Sequence, residues 1–163
     1  MVMLIREITL TDNPVIAEII RTVMKEFDAD PKTTIIGDPS LDTMFNNYQS
    51  SKSIYYIIED NDTVVGGCGI KHLDSTDENI CELQRMFLLP SARGKGYGKF
   101  LIDLCIHKAK EYGYDEIYLE TLSQMKKAIS LYEKTGFKKI NAPKGNTGHT
   151  GCNVQMLLSL CTL

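Results

Sequence analysis

The sequence predicts a mixed α/β protein with a central, mostly antiparallel sheet of six to seven strands flanked by about four helices. Two observations predict this fold class. Short apolar segments typical of strands recur along the 163 residues, and four other segments place apolar side chains at helical spacing. Their order is strand, two helices, three strands, helix, strand, helix and two strands. We therefore expect a mixed sheet with helices on both faces.

The chain opens with a strand and two helices. Residues 3–10 alternate roughly between apolar and polar side chains, which indicates a first strand. Pro14 suits the first turn of a helix, and apolar residues recur at helical spacing from there to Phe27. After a loop, residues 39–48 place apolar and aromatic side chains on one helical face, which predicts a second, shorter helix.

Three strands come next, and all consecutive strands up to Leu89 are predicted to pair antiparallel. A polar turn joins residues 53–59 to residues 63–73, so these two strands form a hairpin. After another polar turn, residues 80–89 form the third strand, which ends at Pro90 because proline cannot donate to a ladder. Glycines inside the second strand predict a bulge or a close backbone contact there, at Gly66, Gly67 and Gly69.

A glycine-rich turn follows the third strand and precedes a helix. Residues 93–99 read Arg-Gly-Lys-Gly-Tyr-Gly-Lys. The start of a helix offers unpaired amides and a partial positive charge, and glycines allow a ligand to approach the backbone closely. The cations Arg93, Lys95 and Lys99 add full charges. The turn therefore predicts a phosphate or pyrophosphate site. The alternative is a tight turn with exposed basic residues.

The remaining elements alternate between helix and strand. The helix after the glycine turn ends near Gly113, a residue that suits a helix C-terminus. Residues 116–122 form a strand that the helical crossover should place parallel to its predecessor. Residues 125–134 form the last helix, and the final strands are predicted at 137–140 and 153–160, with a polar loop between them.

Composition and charge disfavour several classes of protein. The net charge of -3 and the pI of about 5.6 are unlike the basic footprint of a nucleic-acid-binding protein. No apolar run approaches the ~18 residues that a membrane span needs, and the first residues lack a signal-peptide layout. We expect one cytoplasmic domain, residues 1–163, with no nucleic-acid and no membrane partner.

The cysteines and histidines lack the spacing of a metal site, so we predict no metal. The five cysteines are odd in number and include no CxxC pair, which indicates free thiols in a reducing compartment. His149 and Cys152 lie three residues apart in the last loop. A thiol nucleophile needs a paired, activated setting that this spacing does not supply, so we expect a pocket wall or a structural loop.

Two motifs on these elements resemble one protein family. The first reads R-x-x-G-x-G from Arg93 to Gly98, after a strand that ends in proline. The second reads LYEKTGF from Leu131 to Phe137, with Ala128 before it. Together they resemble the GNAT superfamily of acyl-CoA N-acetyltransferases, and the order of elements agrees over nearly the whole chain. The resemblance implies the GNAT fold and direct transfer of an acetyl group from acetyl-CoA, the co-substrate, to a primary amine.

The resemblance also implies how coenzyme A (CoA) is held. Backbone groups of Met86, Phe87 and Leu88 would pair with the pantetheine arm as if it were an added strand. Many family members carry Asn where this chain has Met125, so that contact is lost, or replaced by Ser123 or Gln124. The pyrophosphate would lie against the turn formed by Arg93, Gly94, Lys95, Gly96, Tyr97, Gly98 and Lys99.

Two catalytic residues follow from the resemblance. Tyr132, the tyrosine of the second motif, would protonate the thiolate leaving group, and its alternative is a core tyrosine. Glu82, at the start of the cofactor strand, would accept a proton from the acceptor, because an alkyl ammonium has a pKa near ~10. The alternative for Glu82 is a structural role, as an exposed carboxylate or in a salt bridge. In that case a water relay would take the proton from the acceptor. Glu120 is a lesser candidate, and a backbone amide near Leu88 would hold the oxyanion.

The acceptor amine is left open by the sequence. We expect a small amine or an amino-acid-like molecule. The alternatives are a peptide or protein amine and, from another class, a CoA-binding regulatory module without turnover. The segment from the end of the first helix through the second helix is acidic, with Asp28, Asp30, Asp38 and Asp42. An acidic surround favours a cationic amine, and a solvated loop face is the alternative. Family resemblance makes a homodimer possible, although no element specifies it.

Overall fold

The computed structural model describes residues 2–161 and contains one seven-stranded sheet in that range. The strands are β1 Met3–Glu7, β2 Ile54–Asp60, β3 Thr63–His72, β4 Ile80–Leu88, β5 Glu116–Thr121, β6 Lys138–Ile140 and β7 Val154–Ser159. The α-helices are α1 Asn13–Glu26, α2 Met44–Asn47, α3 Tyr97–Glu111 and α4 Lys126–Lys134. The predicted mixed α/β class is confirmed. No helix within residues 2–161 is both long and apolar enough to cross a membrane.

The sheet is mostly antiparallel, with one parallel pair. Its strands lie in the order β1-β2-β3-β4-β5-β7-β6. The first four strands pair antiparallel in sequence order, and the crossover through α3 makes β5 parallel to β4, both as predicted. The last strand, β7, lies between β5 and β6 and pairs antiparallel with each.

The sheet separates two apolar clusters. One cluster packs α3 and α4 against one face, and the other packs α1 and α2 against the opposite face. The central strand β2 contributes to both, because successive side chains of a strand point to opposite faces. Tyr56 and Ile58 join the first cluster, whereas Tyr55 and Ile57 join the second. This burial on both faces explains the nearly continuous apolar sequence of β2.

Two helix boundaries differ from the prediction. The predicted helix over residues 39–48 is instead a 3₁₀ turn, Pro39–Thr43, followed by the short α2. The Asp38 side chain accepts a hydrogen bond of 2.9 Å from the Ser40 amide and so caps this turn. The helix α3 begins at Tyr97 rather than after Gly98. The residue before it, Gly96, adopts φ +83° and so supplies the change in chain direction.

The glycines of β3 lie beside a β-bulge, which confirms that prediction. The register between β3 and β4 shifts between Gly67 and Gly69, and the extra residue is on β4. A Cβ on Gly67 would lie 2.5 Å from the Tyr55 ring, so only glycine fits there. In the bulge Arg85 has φ +54°, and its carbonyl accepts a hydrogen bond of 2.8 Å from the Tyr55 hydroxyl. The bulge therefore gives Arg85 a backbone conformation unlike that of its neighbours.

Candidate active site

The glycine turn leads into the start of α3. Gly94 and Gly96 both have positive φ, at +74° and +83°, and an added Cβ on either would meet nothing within 4 Å. The N-cap residue Gly96 has no side chain to cap the helix, and a backbone bond of 3.1 Å runs from the Phe100 amide to the Gly96 carbonyl. Space is therefore open beside the backbone of the turn at Gly94 and Gly96. An anion can bind the amides at the start of a helix because the helix dipole adds a favourable field.

The three cations of the turn are each paired with a carboxylate. Arg93 donates two hydrogen bonds to Glu26, of 2.8 and 2.7 Å, and a third of 3.1 Å to the Leu88 carbonyl. Its guanidinium also lies 5.8 Å from the centre of the Phe27 ring. The other two pairs are Lys95 with Asp60 and Lys99 with Asp103. The open part of the turn is thus its backbone, and the cations already have anionic partners.

A groove runs from this turn along the end of β4, and we call it the glycine-turn groove. Parallel pairing joins β4 to β5 at three positions only, the last being Glu82 with Tyr118, so the strands separate beyond that point. The groove is lined by this part of β4, by α4 and by the turn. Of the residues predicted to hold CoA, Lys95 is not among those that line it. Those that do are Met86, Phe87, Leu88, Arg93, Gly94, Gly96, Tyr97, Gly98 and Lys99.

Gly98 allows two elements of the groove to approach each other. A Cβ at this position would lie 3.0 Å from the end of the Leu131 side chain and 3.1 Å from that of Met86. Both contacts are tighter than ordinary van der Waals packing. The absence of a side chain therefore lets the first turn of α3 pack closely against α4 and the end of β4.

A second depression lies beside the groove, and we call it the Glu82 pocket. Glu82 is buried on β4, with 7% of its surface exposed. Its carboxylate accepts a 3.0 Å hydrogen bond from Gln84, whose amide oxygen in turn accepts one of 2.7 Å from the Tyr48 hydroxyl. Burial raises the pKa of Glu82 to about 7, and the charge of Glu120 adds to this effect while the Gln84 bond opposes it. Such a carboxyl can gain and lose a proton near neutral pH.

Tyr132 lines both the groove and the Glu82 pocket. It lies on α4 with 6% of its surface exposed, and its ring meets that of Phe137 at 64°, with centres 5.9 Å apart. Burial raises the pKa of its hydroxyl far above the usual value, so the phenol stays protonated. Among residues 2–161, no group accepts a hydrogen bond from this hydroxyl. Besides Tyr132, the residues shared by the two depressions are Met86, Phe87 and Met125.

Met125 stands just before α4, and its thioether sulfur receives a long contact of 3.8 Å from the Thr121 hydroxyl. Its two neighbours contact the protein itself. Gln124 donates a 3.0 Å hydrogen bond to the Phe27 carbonyl, and Ser123 is bonded to Asn153 through both its amide and its hydroxyl. These contacts fix the segment that leads into α4.

The last loop forms one wall of the Glu82 pocket. His149 lies 3.1 Å from the Asp38 carboxylate, so its side chain is paired with Asp38 rather than with Cys152. Burial raises the pKa of the Cys152 thiol to about 11, which keeps the thiol protonated at neutral pH. In the same wall Glu120 accepts hydrogen bonds from the hydroxyls of Tyr118 and Thr147. The loop is thereby joined to the segment before α2 and to β5.

Two residues that line the Glu82 pocket, and a third that supports one of them, were not predicted to have a role. Gln84 orients the Glu82 carboxylate, and its position two residues further along a strand would have placed it on the same face. Tyr48 supports Gln84, but their separation of 36 residues leaves no local signal. Arg85 also lines the pocket, and only the bulge accounts for its direction.

Comparison with known proteins supports the fold and gives the family of the chain. The family model described as "Acetyltransferase (GNAT) family" matches residues 21–137. The chain is 43% identical over 157 residues, covering 95% of this chain and 93% of the relative, to the Escherichia coli protein described as "Uncharacterized N-acetyltransferase YjgM". A Staphylococcus aureus GNAT acetyltransferase superposes with a TM-score of 0.87 at 26% identity, covering 98% and 100% of the two chains.

A further solved structure is similar in fold. The Salmonella typhimurium yncA, described as a putative acetyltransferase with its cofactor acetyl-CoA, has a TM-score of 0.79 at 20% identity. The superposition covers 100% of this chain and 96% of that one. Together with the matched family model and the E. coli relative, these similarities identify the class: the chain belongs to the GNAT family and is an N-acetyltransferase of the GNAT type.

Proposed function

We propose that the protein transfers the acetyl group of acetyl-CoA directly to a primary amine of a small or amino-acid-like acceptor. The observation that carries this proposal is the position of Tyr132, which lines both the glycine-turn groove and the Glu82 pocket. A transferase needs its two substrates side by side, and these two depressions meet at that residue. Acetyl-CoA supplies an activated thioester, and the acceptor supplies the nucleophilic nitrogen.

The groove fits CoA in its backbone chemistry. The start of α3, beside the open backbone of Gly94 and Gly96, suits a diphosphate. The end of β4, Met86 to Leu88, lies beyond the last pair with β5, so its edge can take an added strand-like ligand. Arg93 stands at this site in a pair with Glu26, and a bound diphosphate would compete with that carboxylate for the guanidinium. The similarity in fold to an acetyltransferase solved with acetyl-CoA supports this assignment.

Glu82 and Tyr132 would move the two protons of the reaction. With a pKa of about 7, the Glu82 carboxylate accepts a proton from the acceptor ammonium, directly or through a water. The Tyr132 phenol keeps its proton at neutral pH and is placed to donate it to the departing sulfur of CoA. Gln84 and Tyr48 act as positioning residues, because they fix the orientation of the Glu82 carboxylate.

The walls of the Glu82 pocket favour a small acceptor over a protein surface. The His149–Asp38 pair and a 2.8 Å bond from the Gly151 amide to the Thr33 carbonyl join the last loop to the segment after α1. This connection limits the space beside Glu82 on that side. A long peptide would therefore have to displace contacts that a small molecule leaves in place.

The test is thiol release from acetyl-CoA, measured across a panel of amines for the parent protein and for Tyr132→Phe. Loss of a general acid typically costs about 10²- to 10⁴-fold, and we expect a fall in kcat of this size. The matched control is Tyr112→Phe, which removes a hydroxyl from a half-exposed tyrosine outside both depressions and should leave the rate unchanged.

Two results would contradict the proposal. If Tyr132→Phe kept the parental rate at every pH, Tyr132 would not be the proton donor. If the parent bound CoA but released no thiol with any amine, the protein would instead be a CoA-binding regulatory module.

A further inference from the structure

The side chain of Arg85 is a positive charge on the wall of the Glu82 pocket. It leaves β4 at the bulge, where its φ of +54° is uncommon for a residue with a side chain. Such outliers persist only where the surrounding structure enforces them, and they cluster at ligand sites. Here the enforcement is visible, because the buried Tyr55 donates a hydrogen bond to the Arg85 carbonyl.

Among residues 2–161, the hydrogen-bond acceptors of the Arg85 guanidinium are both neutral. It lies 2.7 Å from the Met44 sulfur, a weak acceptor, and 2.7 Å from the Ser40 hydroxyl. Within residues 2–161 no carboxylate lies within 4.0 Å of it. By contrast, Arg6, Arg21 and Arg93 each form ion pairs with carboxylates. A guanidinium has five N–H donors in a planar fork, so Arg85 has donors left for an anion.

The carboxylates of the same pocket are mostly engaged by the protein itself. Glu82 accepts from Gln84, Glu120 accepts from two hydroxyls, and Asp38 is paired with His149. Asp74 is the fourth, and it is exposed at the pocket. Two cations line the same pocket, Arg85 and Lys71. Within residues 2–161 neither forms an ion pair with a carboxylate, whereas three of the four acidic groups already have partners in the protein. This distribution fits a ligand that brings its own negative charge.

We propose that the acceptor is an amino acid whose carboxylate binds the guanidinium of Arg85 while its amine faces Glu82. This inference rests on the proposed function. Residues three apart on a strand are separated by about 10 Å at most, and both side chains reach into one pocket. A molecule whose amine and carboxylate are one to a few carbons apart can therefore contact both. An Arg–carboxylate fork would fix the acceptor in one orientation and reject amines that lack the anion.

The experiment compares matched acceptors by thiol release. Each amino acid is paired with its decarboxylated amine and with its carboxamide, and kcat/KM is measured for all three. We expect the parent to favour the amino acid by about 10- to 100-fold, the range for a charged hydrogen-bonded pair. Arg85→Gln should remove this preference and leave CoA affinity unchanged. Arg85→Lys, which keeps the charge but loses the fork, should retain part of it.

The matched control is Arg21→Gln, which removes a guanidinium paired with Asp42 at the surface, and it should keep the parental preference. Arg85→Gln adds no new backbone strain, because glutamine tolerates the same φ as arginine, and its thermal melt verifies folding. Should it fail to fold, Arg85→Lys decides the question by its intermediate preference.

The outcomes separate the two proposals. If the parent acetylates diamines or decarboxylated amines as fast as amino acids, the Arg85 inference is overturned and acetyl transfer stands. The same holds if Arg85→Gln keeps the parental preference. If no amine of any class releases thiol from acetyl-CoA, the proposed function itself falls, and the inference falls with it.

Discussion

Replacing Glu82 by glutamine should stabilise the folded protein at mildly alkaline pH while it removes the proposed base. Glutamine has the shape of a protonated glutamate and carries no charge. Glu82 is 7% exposed, and its buried carboxyl is costly to ionise. The variant avoids that cost at any pH, whereas the parent avoids it only where the carboxyl remains protonated.

The magnitude follows from the pKa of Glu82 in the folded protein. Burial raises it to about 7, from a usual 4.5, so the folded state binds a proton that the unfolded state has lost. The stabilisation from that proton is fully present below pH 4.5, and it is lost as pH rises through the folded pKa of about 7. Over this window the parent should lose about 3 kcal/mol of its free energy of unfolding, at about 1.4 kcal/mol per pH unit.

The assay is denaturant unfolding of the parent and of Glu82→Gln, once near pH 5 and once near pH 8. All other groups titrate equally in both proteins. The difference between their free energies of unfolding therefore reports the titration of Glu82 alone. The free energy of unfolding of Glu82→Gln, relative to that of the parent, should be higher at pH 8 than at pH 5 by up to about 3 kcal/mol. The same variant should lose about 10²- to 10⁴-fold in kcat, the usual contribution of a general base.

The control for this experiment is Glu18→Gln, which changes an exposed carboxylate of α1. Its free energy of unfolding should differ from that of the parent by nearly the same amount at both pH values. If Glu82→Gln behaved like this control, the Glu82 carboxyl would be solvated and its pKa ordinary. The assignment of a near-neutral base to this position would then be wrong.

Two further predictions concern the glycine turn. Gly96→Ala should lower the free energy of unfolding by about 1 kcal/mol, because alanine is strained at φ +83° even though its Cβ would meet nothing within 4 Å. Denaturant unfolding measures this loss, and a gain in stability would contradict the left-handed conformation. Glu26→Gln should tighten CoA binding about two- to fivefold by calorimetry, since Arg93 would lose its competing carboxylate. Weaker binding would mean that Glu26 instead orients Arg93 for the ligand.

Much of the fold could be predicted because its signals are local. The apolar strand before Pro90, the glycines after it and the helical spacing that follows are contiguous in sequence, so the strand, the turn and α3 could be located within one or two residues. The element order predicted the parallel pair β4–β5, because crossovers through a helix have one preferred geometry. The prediction of a single second helix over residues 39–48 was wrong in part, because Pro39 and the Asp38 cap favour a 3₁₀ turn at its start.

The site depends more on contacts between distant residues. Tyr132 and Glu82 were predicted by motif and offset, and both line the pocket that lies where β4 and β5 separate beyond Tyr118. The pairs Asp38–His149 and Glu26–Arg93 join residues 111 and 67 positions apart, and no periodicity reports such pairs. The direction of Arg85 comes from a single extra residue in one strand, whose location depends on packing against Tyr55.

The most direct test of the account is a crystal structure of the protein with bound CoA. We predict that the diphosphate lies against the amides between Gly94 and Lys99, with the pantetheine arm beside Met86 to Leu88. The sulfur should then lie within hydrogen-bonding distance of the Tyr132 hydroxyl. A diphosphate bound elsewhere, or a sulfur out of reach of Tyr132, would contradict the account.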